Sequence, residues 1–486
     1  ERTNAHRPDP TSAFATHARA RRKIDAAWTL AAIHRCLSAG GPTDEETEQL
    51  KLLKKSEDEV ESIGLEAIPD ESPKAFAPEE PWAKKLAERL QVRAEDNRPG
   101  YMLLNPCGFT RRVAIEVDPM RDPLPIEGPV KASQHDTDKT RLIAEIPPLG
   151  FAWIPSNGVP GATGHRPRIK MAETNIVRNE YFEAEIDPAT GGLKAFKDRS
   201  KLARLGMQLV YNPGSRAEGR SVRITQNGAA LGEITSDGVI LNEQNEELAT
   251  FRLRLRAWLT RPVLDVRVEI EPKHAPTGYP WHAYYGARFA WREERSALLR
   301  GVNGLSMQTT HTRPVSPDFV EVKLGRTGTT IFTGGLPFHQ KQGSRMLDVI
   351  LIPEGEQVRV FEMGLALDRD HPMLAAAGMI SPLSVVPTTK GPPHIGPSGW
   401  LFHVDAPNLL LINLRPADDG GRSFIATFLE TSGVHGGSAE LRCVRDPSSA
   451  TYMDGDDQPT TSLSVTGDAV RLEFAAGELL RVRVDV

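Results

Sequence analysis

The sequence predicts a mainly β protein, in which an N-terminal helical segment is followed by β-sandwich domains. Three observations carry this. Helix signals crowd into the first hundred residues and fade afterwards. From Tyr101 onward, short runs alternate apolar and polar side chains with the two-residue period of half-buried strands. Prolines, glycines and aspartates separate those runs at short intervals, the pattern of antiparallel sandwiches and not of a parallel α/β sheet.

The helices come first. Thr11 and Ser12 are placed to cap a helix running to about Ala39, where Gly40-Gly41-Pro42 stops it. Phe14, Ile24, Trp28, Ala31 and Leu37 supply its buried stripe. Thr43-Asp44-Glu45-Glu46 is a capping box that opens a second helix, with acidic groups at its positive end. Leu50, Leu53, Val60 and Ile63 form its apolar seam and Gly64 ends it. Residues 68–81, rich in Pro, Glu and Ser, read as a linker. Pro81-Trp82 starts a third, short helix carrying Leu86 and Leu90, which Pro99-Gly100 terminates. Nothing helix-like of real length is expected after residue 100.

The strands follow. Val113, Ile115 and Val117 alternate with polar residues, and 141–146 and 150–154 are short strands between prolines. Residues 155–167 are rich in Gly and Pro and mark a boundary. In 176–199, IVRNEYFEAEIDPATGGLKAFKDR, Phe182, Ala184 and Ile186 alternate with Glu183, Glu185 and Asp187. The turn Asp187-Pro188-Ala189-Thr190-Gly191-Gly192 then leads into a return strand through Leu193, Ala195 and Phe196, a β-hairpin. Residues 251–259 and 263–270 alternate on either side of Arg261-Pro262, an antiparallel pair. Further strands are expected at 320–324, 349–352, 358–361, 409–414, 423–429, 470–474 and 479–486. The resulting division is a helical segment at 1–99, a small β-sandwich at 100–168, a large supersandwich at 169–400 and a C-terminal β-sandwich at 401–486.

Composition narrows the function classes. The chain has 486 residues, 39% hydrophobic and 25% charged, with a formal net charge of −5. That balance gives no electrostatic reason to expect nucleic acid or an anionic membrane as partner. No apolar run approaches a membrane span and no signal-peptide pattern opens the chain, so a soluble protein is expected, with the cytoplasm as its compartment. Cys36, Cys107 and Cys443 form no CxxC, which argues against a disulfide scaffold or a zinc knuckle. The chain opens on Glu1 in polar, helix-leading sequence. It is expected to be a piece of a longer polypeptide, with a trimmed tag or propeptide as the alternative.

Several groups invite a chemical reading. His403-Val404-Asp405 is an H-x-D whose two side chains share one face of a strand, but a third ligand at sensible spacing is missing. Asp454-Gly455-Asp456-Asp457 resembles the start of a calcium loop without its closing Glu or its helices, and reads as a solvated turn. Tyr279-Pro280-Trp281-His282-Ala283-Tyr284-Tyr285 is the densest aromatic cluster. Rings with polar tips stack on sugar faces, and the same rings would equally fill a sandwich core. His311, Arg313, His339 and Arg345 are scattered near loop signals, where binding residues concentrate. No spacing singles out a general acid and nucleophile pair.

Segment 176–199 resembles the opening of the C-terminal β-region of glycoside hydrolase family 38, the α-mannosidases. Other stretches agree in order: YMLLNPCGFTRRVAIEV at 101–117, IPPLGFAWIP at 146–155, YPWHAYYGARFAW at 279–291, RMLDVILIPEGEQVRVFEMGLALD at 345–368, LLLINLRPADDGGRSFIATFLETSG at 409–433 and FAAGELLRVRV at 474–484. The resemblance implies a galactose-mutarotase-like supersandwich and a helical bundle that links it to an N-terminal β/α barrel. That barrel carries the family's zinc ion, held by an H-x-D, a further Asp and a His, and the Asp nucleophile of a retaining mechanism. It has no counterpart here, so no catalytic residue and no metal ligand is assigned to this chain, and His403 and Asp405 are not the family's ligands.

The implied partners are that barrel, on the same polypeptide or another chain, and a mannose-containing saccharide. Homo-oligomerisation stays open. Trp281, His282, Tyr284, Tyr285 and Arg313 are the candidates for a sugar-binding rim. Where some members carry an arginine-rich LDRRL strand that reaches the sugar, this chain has LDVIL. Two other readings stand beside this one. The first is a non-catalytic carbohydrate-binding or assembly module. The second is a mutarotase-like enzyme in which His282 meets Glu293 or Glu294.

Overall fold

The computed structural model describes residues 10–62, 76–164, 169–417, 421–434 and 436–486. Ile63, Gly64, residues 68–75 of the expected linker and 165–167 of the expected boundary lie outside them. The helix α1 (Thr11–Leu37) is the axle of the N-terminal segment. Every residue from Ile24 to Cys36 is buried, so this half of the helix is enclosed on all sides and not striped. The expected cap at Thr11 and Ser12 is corrected: Pro10 holds the cap position and makes no side-chain cap bond. Glu356, far along the chain, accepts from the Ser12 amide at 2.9 Å and the Ser12 hydroxyl at 2.6 Å. A buried carboxylate at the positive end of the helix replaces the local hydroxyl.

The helix α2 (Asp44–Ser62) opens on the expected capping box, with Thr43 N–H donating to Glu46 at 2.9 Å and Glu46 N–H to Thr43 Oγ1 at 3.2 Å. The helix α3 (Glu80–Leu90) carries Pro81 in its first turn and buries Trp82 and Leu86. One apolar core joins α1 and α3 to Met102, Leu104, Phe151 and Trp153 of the first sandwich and to Phe402, Phe424 and Phe428 of the last. On α2, Glu57 is 1% exposed and takes both terminal nitrogens of Arg415, from the last sandwich, while Arg21 of α1 stands 3.2 Å away.

All strand pairs among the described residues are antiparallel, in six sheets. The fold class is therefore mainly β with stacked sheets. The large sandwich packs an eight-stranded sheet on a nine-stranded one. Phe182, Phe196, Phe289, Leu253 and Val266 lie in the core between them. The hairpin forms as its pattern predicts: Glu183–Ile186 pairs with Leu193–Lys197, and Phe182, Ala184 and Ile186 are buried. Gly191 takes φ +72° in the turn, which a β-carbon would resist.

Two expectations are corrected. Residues 384–400 do not belong to the large sandwich. Ser384–Thr388 pairs with Gly100–Asn105, and Ser398–Trp400 pairs with Gly150–Pro155, so they complete a sheet of the first sandwich. The second correction is α4 (Pro372–Ile380), a helix after residue 100, with Pro372 at its start. It packs on Phe319 and Phe332. Arg111 donates to the carbonyls of Gly378, Ser381 and Pro382, satisfying the negative end of the helix. No helix among the described residues is long and apolar enough to cross a membrane.

The last sandwich holds a buried carboxylate. Glu430 is 0% exposed and accepts from the amides of Ser432, Gly433 and Gly477 and from Asn408 Nδ2, at 2.8–3.0 Å. Burial alone would raise its pKa, but the Ser432 hydroxyl, the Gly477 amide and Asn408 outweigh it and pull the carboxyl down to about 2. The folded value lies below the ordinary 4.5. The stabilisation is thus complete above that ordinary value and is lost as pH falls toward 2. Glu430→Gln is expected to reduce unfolding free energy at pH 7 by about 1–3 kcal/mol and to flatten the acid limb of the stability profile. Urea denaturation at pH 7 and pH 3 checks it; equal acid limbs in both proteins would refute the assignment.

Candidate functional site: an aromatic ledge at the start of α1

Pro280 and the amides of His282 and Ala283, which both donate to the Tyr279 carbonyl, wind residues 279–283 into a tight turn. That turn sets its side chains beside the 310–316 loop. Arg313 lies over two rings at once, its guanidinium carbon 5.3 Å from the Tyr279 centroid and 5.2 Å from that of Trp281. Its Nη1 also donates to the Tyr279 hydroxyl at 3.2 Å. Trp281 packs edge-on against Phe338 at 5.7 Å, and Phe338 against Phe14 of α1 at 5.1 Å. His282 is exposed and meets the Tyr279 ring edge-on at 5.0 Å. Three of the five rim candidates, Trp281, His282 and Arg313, therefore gather into one ledge near the first turn of α1. Trp281 is itself buried, 6% exposed, and supports the ledge from beneath; the half-buried Tyr279, the exposed His282 and the stacked guanidinium are the groups a ligand with apolar ring faces and hydroxyls would meet.

Tyr284 and Tyr285 do not join it. Both are 0% exposed, so their rings cannot stack on a ligand. The Tyr285 hydroxyl donates to the carbonyls of Leu248 and His274. The Tyr284 hydroxyl donates to Asp348 at 2.7 Å, and Arg288 grips the same carboxylate through two bonds of 2.7 Å. Burial first, then the Asp348 charge, raises the pKa of Tyr284, which keeps its proton for that bond. At LDVIL, then, an inward carboxylate organises the strand.

The other sequence candidates scatter. His339 is fully buried and bonded to the Ser316 carbonyl, and burial lowers its pKa to about 4, so it is a neutral core residue. Arg345 reaches the Arg292 carbonyl, and His311 is exposed. His403 stacks loosely on Trp400 while Asp405 accepts from the Glu440 amide at 2.8 Å. Asp454 accepts from the amides of Asp456 and Gln458 within its own turn. Among the described residues, no three His, Cys, Asp or Glu side chains gather as metal ligands. His282 and Glu293 flank opposite ends of the strand Tyr284–Ala290. Seven extended residues span about 23 Å, so the mutarotase-like pairing does not form. The contributions of Phe14 and Phe338 to the ledge were not legible, because apolar residues so distant in sequence carry no sign of meeting.

No protein family and no curated protein matches the sequence. The fold does find likenesses. A protein in glycosyl hydrolase family 38 from Enterococcus faecalis is similar over 98% of this chain and 70% of that chain, with a TM-score of 0.69 and 13% identity. This chain shares its fold. An α-mannosidase from Enterococcus faecalis V583 is similar over 100% of this chain and 69% of that one, with a TM-score of 0.66 and 14% identity. A galactose mutarotase related enzyme from Lactobacillus acidophilus is similar over 40% of this chain, but its TM-score of 0.25 is too slight to argue from. The agreement with the two Enterococcus faecalis proteins is one of fold.

Proposed function

We propose that this chain is the bundle-and-sandwich portion of a family 38-like retaining α-mannosidase, whose zinc site and nucleophile lie on a β/α barrel outside it. The observation that carries this reading is the likeness to the family 38 protein, which takes in 98% of this chain but 70% of the other. In this reading the Tyr279–Trp281–Arg313 ledge borders the sugar, and Arg313 binds and orients without touching the bond that breaks. Hydrolysis of an aryl α-mannoside is expected only when the barrel is present, on the same polypeptide or on another chain. Zinc-dependent turnover by this chain alone would overturn the division of labour. In the complete enzyme, Arg313→Ala is expected to raise KM about tenfold with little change in kcat, the mark of lost uniform binding. An unchanged KM removes the ledge from the site.

The ledge is formed wholly by described residues of this chain, which favours one second reading, a carbohydrate-binding module that works alone. Calorimetric titration of this chain with mannose oligomers separates the two. Binding supports the module, and silence leaves the ledge dependent on the barrel.

A further inference from the structure

A cleft of about 940 Å³ lies between the first sandwich, the outer face of the nine-stranded sheet and α4. That volume is in the range of small-molecule sites. Its floor is the outward face of the strand Glu247–Trp258 and of its neighbour Leu264–Pro272. Along the first of these strands Arg252, Arg254 and Arg256 point outward, only Arg254 and Arg256 lining the cleft, while Phe251, Leu253 and Leu255 point into the core.

The register shows where the charges are balanced and where they are not. Arg256 lies between Glu233 and Asp265 on the flanking strands, and Arg252 lies between Asp237 and Glu269. Arg254 lies between Thr235 and Arg267. Like charges placed directly opposite on paired strands repel. Arg267 has relief from Glu269 at 3.0 Å and Glu362 at 3.3 Å. Arg254 has almost none. Its nearest carboxylate, Glu233, is 4.0 Å away and already bonds Arg256 and Thr225. Among the described residues, the Nε of Arg254 is buried with no acceptor. Most acids lining the cleft are already paired: Glu116 with Arg256, Glu145 with Arg112, Asp265 with Arg261 and Glu362 with Arg267. Asp368 pairs with Arg204, and among the described residues Asp370, exposed just before α4, is the exception.

A sheet face that obeys charge pairing in the rows on either side and breaks it in the row between, at the floor of a cleft, marks a place where something else supplies the missing charge. Guanidinium groups side by side suit an oxyanion with two or more acceptor atoms. Phe109 and Tyr181, both half-buried, line the same cleft and offer ring faces. The Tyr181 hydroxyl accepts from Arg112 at 3.3 Å and keeps its own proton to donate. We propose that this cleft binds a saccharide carrying an oxyanion, a carboxylate or a phosphate, seated across Arg254 and Arg267. The site is separate from the ledge and does not depend on the reading given to it.

Calorimetric titration of the full chain at low ionic strength tests this with glucuronate, mannose 6-phosphate, mannose and inorganic phosphate. At least one acidic sugar is expected to bind at least tenfold more tightly than mannose, and the preferred one identifies the anion. Affinity for inorganic phosphate equal to that for the sugar phosphate would remove the sugar from the assignment. Arg254→Gln is expected to weaken the acidic sugar at least tenfold while leaving the melting temperature equal or higher, because it removes a repulsive pair and an unsatisfied donor. Arg252→Gln, outside the cleft, is expected to bind as the unaltered chain does. No binding of either acidic sugar overturns the proposal. So does an Arg254→Gln protein that melts lower and binds unchanged, which would assign the arginine to the fold.

Discussion

Asp348→Ala is expected to lower the unfolding free energy of the chain by about 3–5 kcal/mol, the range for breaking a buried, hydrogen-bonded charge pair from one side. The carboxylate is 0% exposed and receives Arg288 through both oxygens, the Tyr284 hydroxyl, and Gln342 Nε2 at 3.1 Å. Removing it leaves a guanidinium and a phenol in the sheet without an acceptor. Arg288 and Asp348 face one another directly across paired strands, so no small shift of register restores a partner. Urea denaturation checks this: the midpoint should fall with little change in slope. Arg288→Ala in the same background should then add far less than it does alone, because the two act as a unit. A loss below about 1 kcal/mol, the level of an exposed ion pair, would sink the idea that this cluster organises the strand.

Glu57→Ala is expected to be the next most damaging change, at about 3 kcal/mol by the same logic. Glu57 joins three parts of the fold: it sits on α2, pairs with Arg21 of α1 and receives Arg415 from the last sandwich. Arg415 in turn lies over the Trp28 ring of α1 at 5.1 Å. Burial pushes the Glu57 carboxyl up, but the bond and charge of Arg415, then Arg21 and Lys54, hold it below the ordinary range. Its stabilising effect is therefore complete above the ordinary carboxylate value of 4.5 and is lost as pH falls below it. In the altered protein the loss of stability should be large at pH 7 and shrink on acidification. Denaturant midpoints at both pH values measure it, and a deficit independent of pH would contradict the ion-pair account.

What was readable in the sequence follows from range. The hairpin at 183–197 and the pair at 251–270 are local patterns, where alternation and turn residues sit within a few positions of one another. The capping box at Thr43 is local too, and it forms. Most of the misreadings involve distance. Thr11 and Ser12 have the right chemistry to cap α1, but Glu356 reaches the helix end first. Residues 384–400 read as the close of the large sandwich because sequence order hides a return to the first one. Tyr284 and Tyr285 have the look of a sugar rim, yet strand alternation buries Tyr285, and Asp348 draws Tyr284 inward. The α4 helix was overlooked although Pro372 and the run Met373 to Ala377 signal it, because β texture surrounds it. Arg313 was a lone arginine until two rings from another loop closed on it.

The return of Ser384–Thr388 to Gly100–Asn105 has a consequence for synthesis. Thr388 bonds the Gly100 carbonyl across 288 positions of chain. At roughly 5–20 residues per second, the ribosome needs about 15–60 s to deliver that partner. For all that time the nascent first sandwich shows an unpaired edge to whatever else is being made nearby. A stretch of polypeptide whose earliest sheet waits this long for completion is exposed to mispairing during translation, and bacterial expression at reduced temperature should raise its yield of folded product.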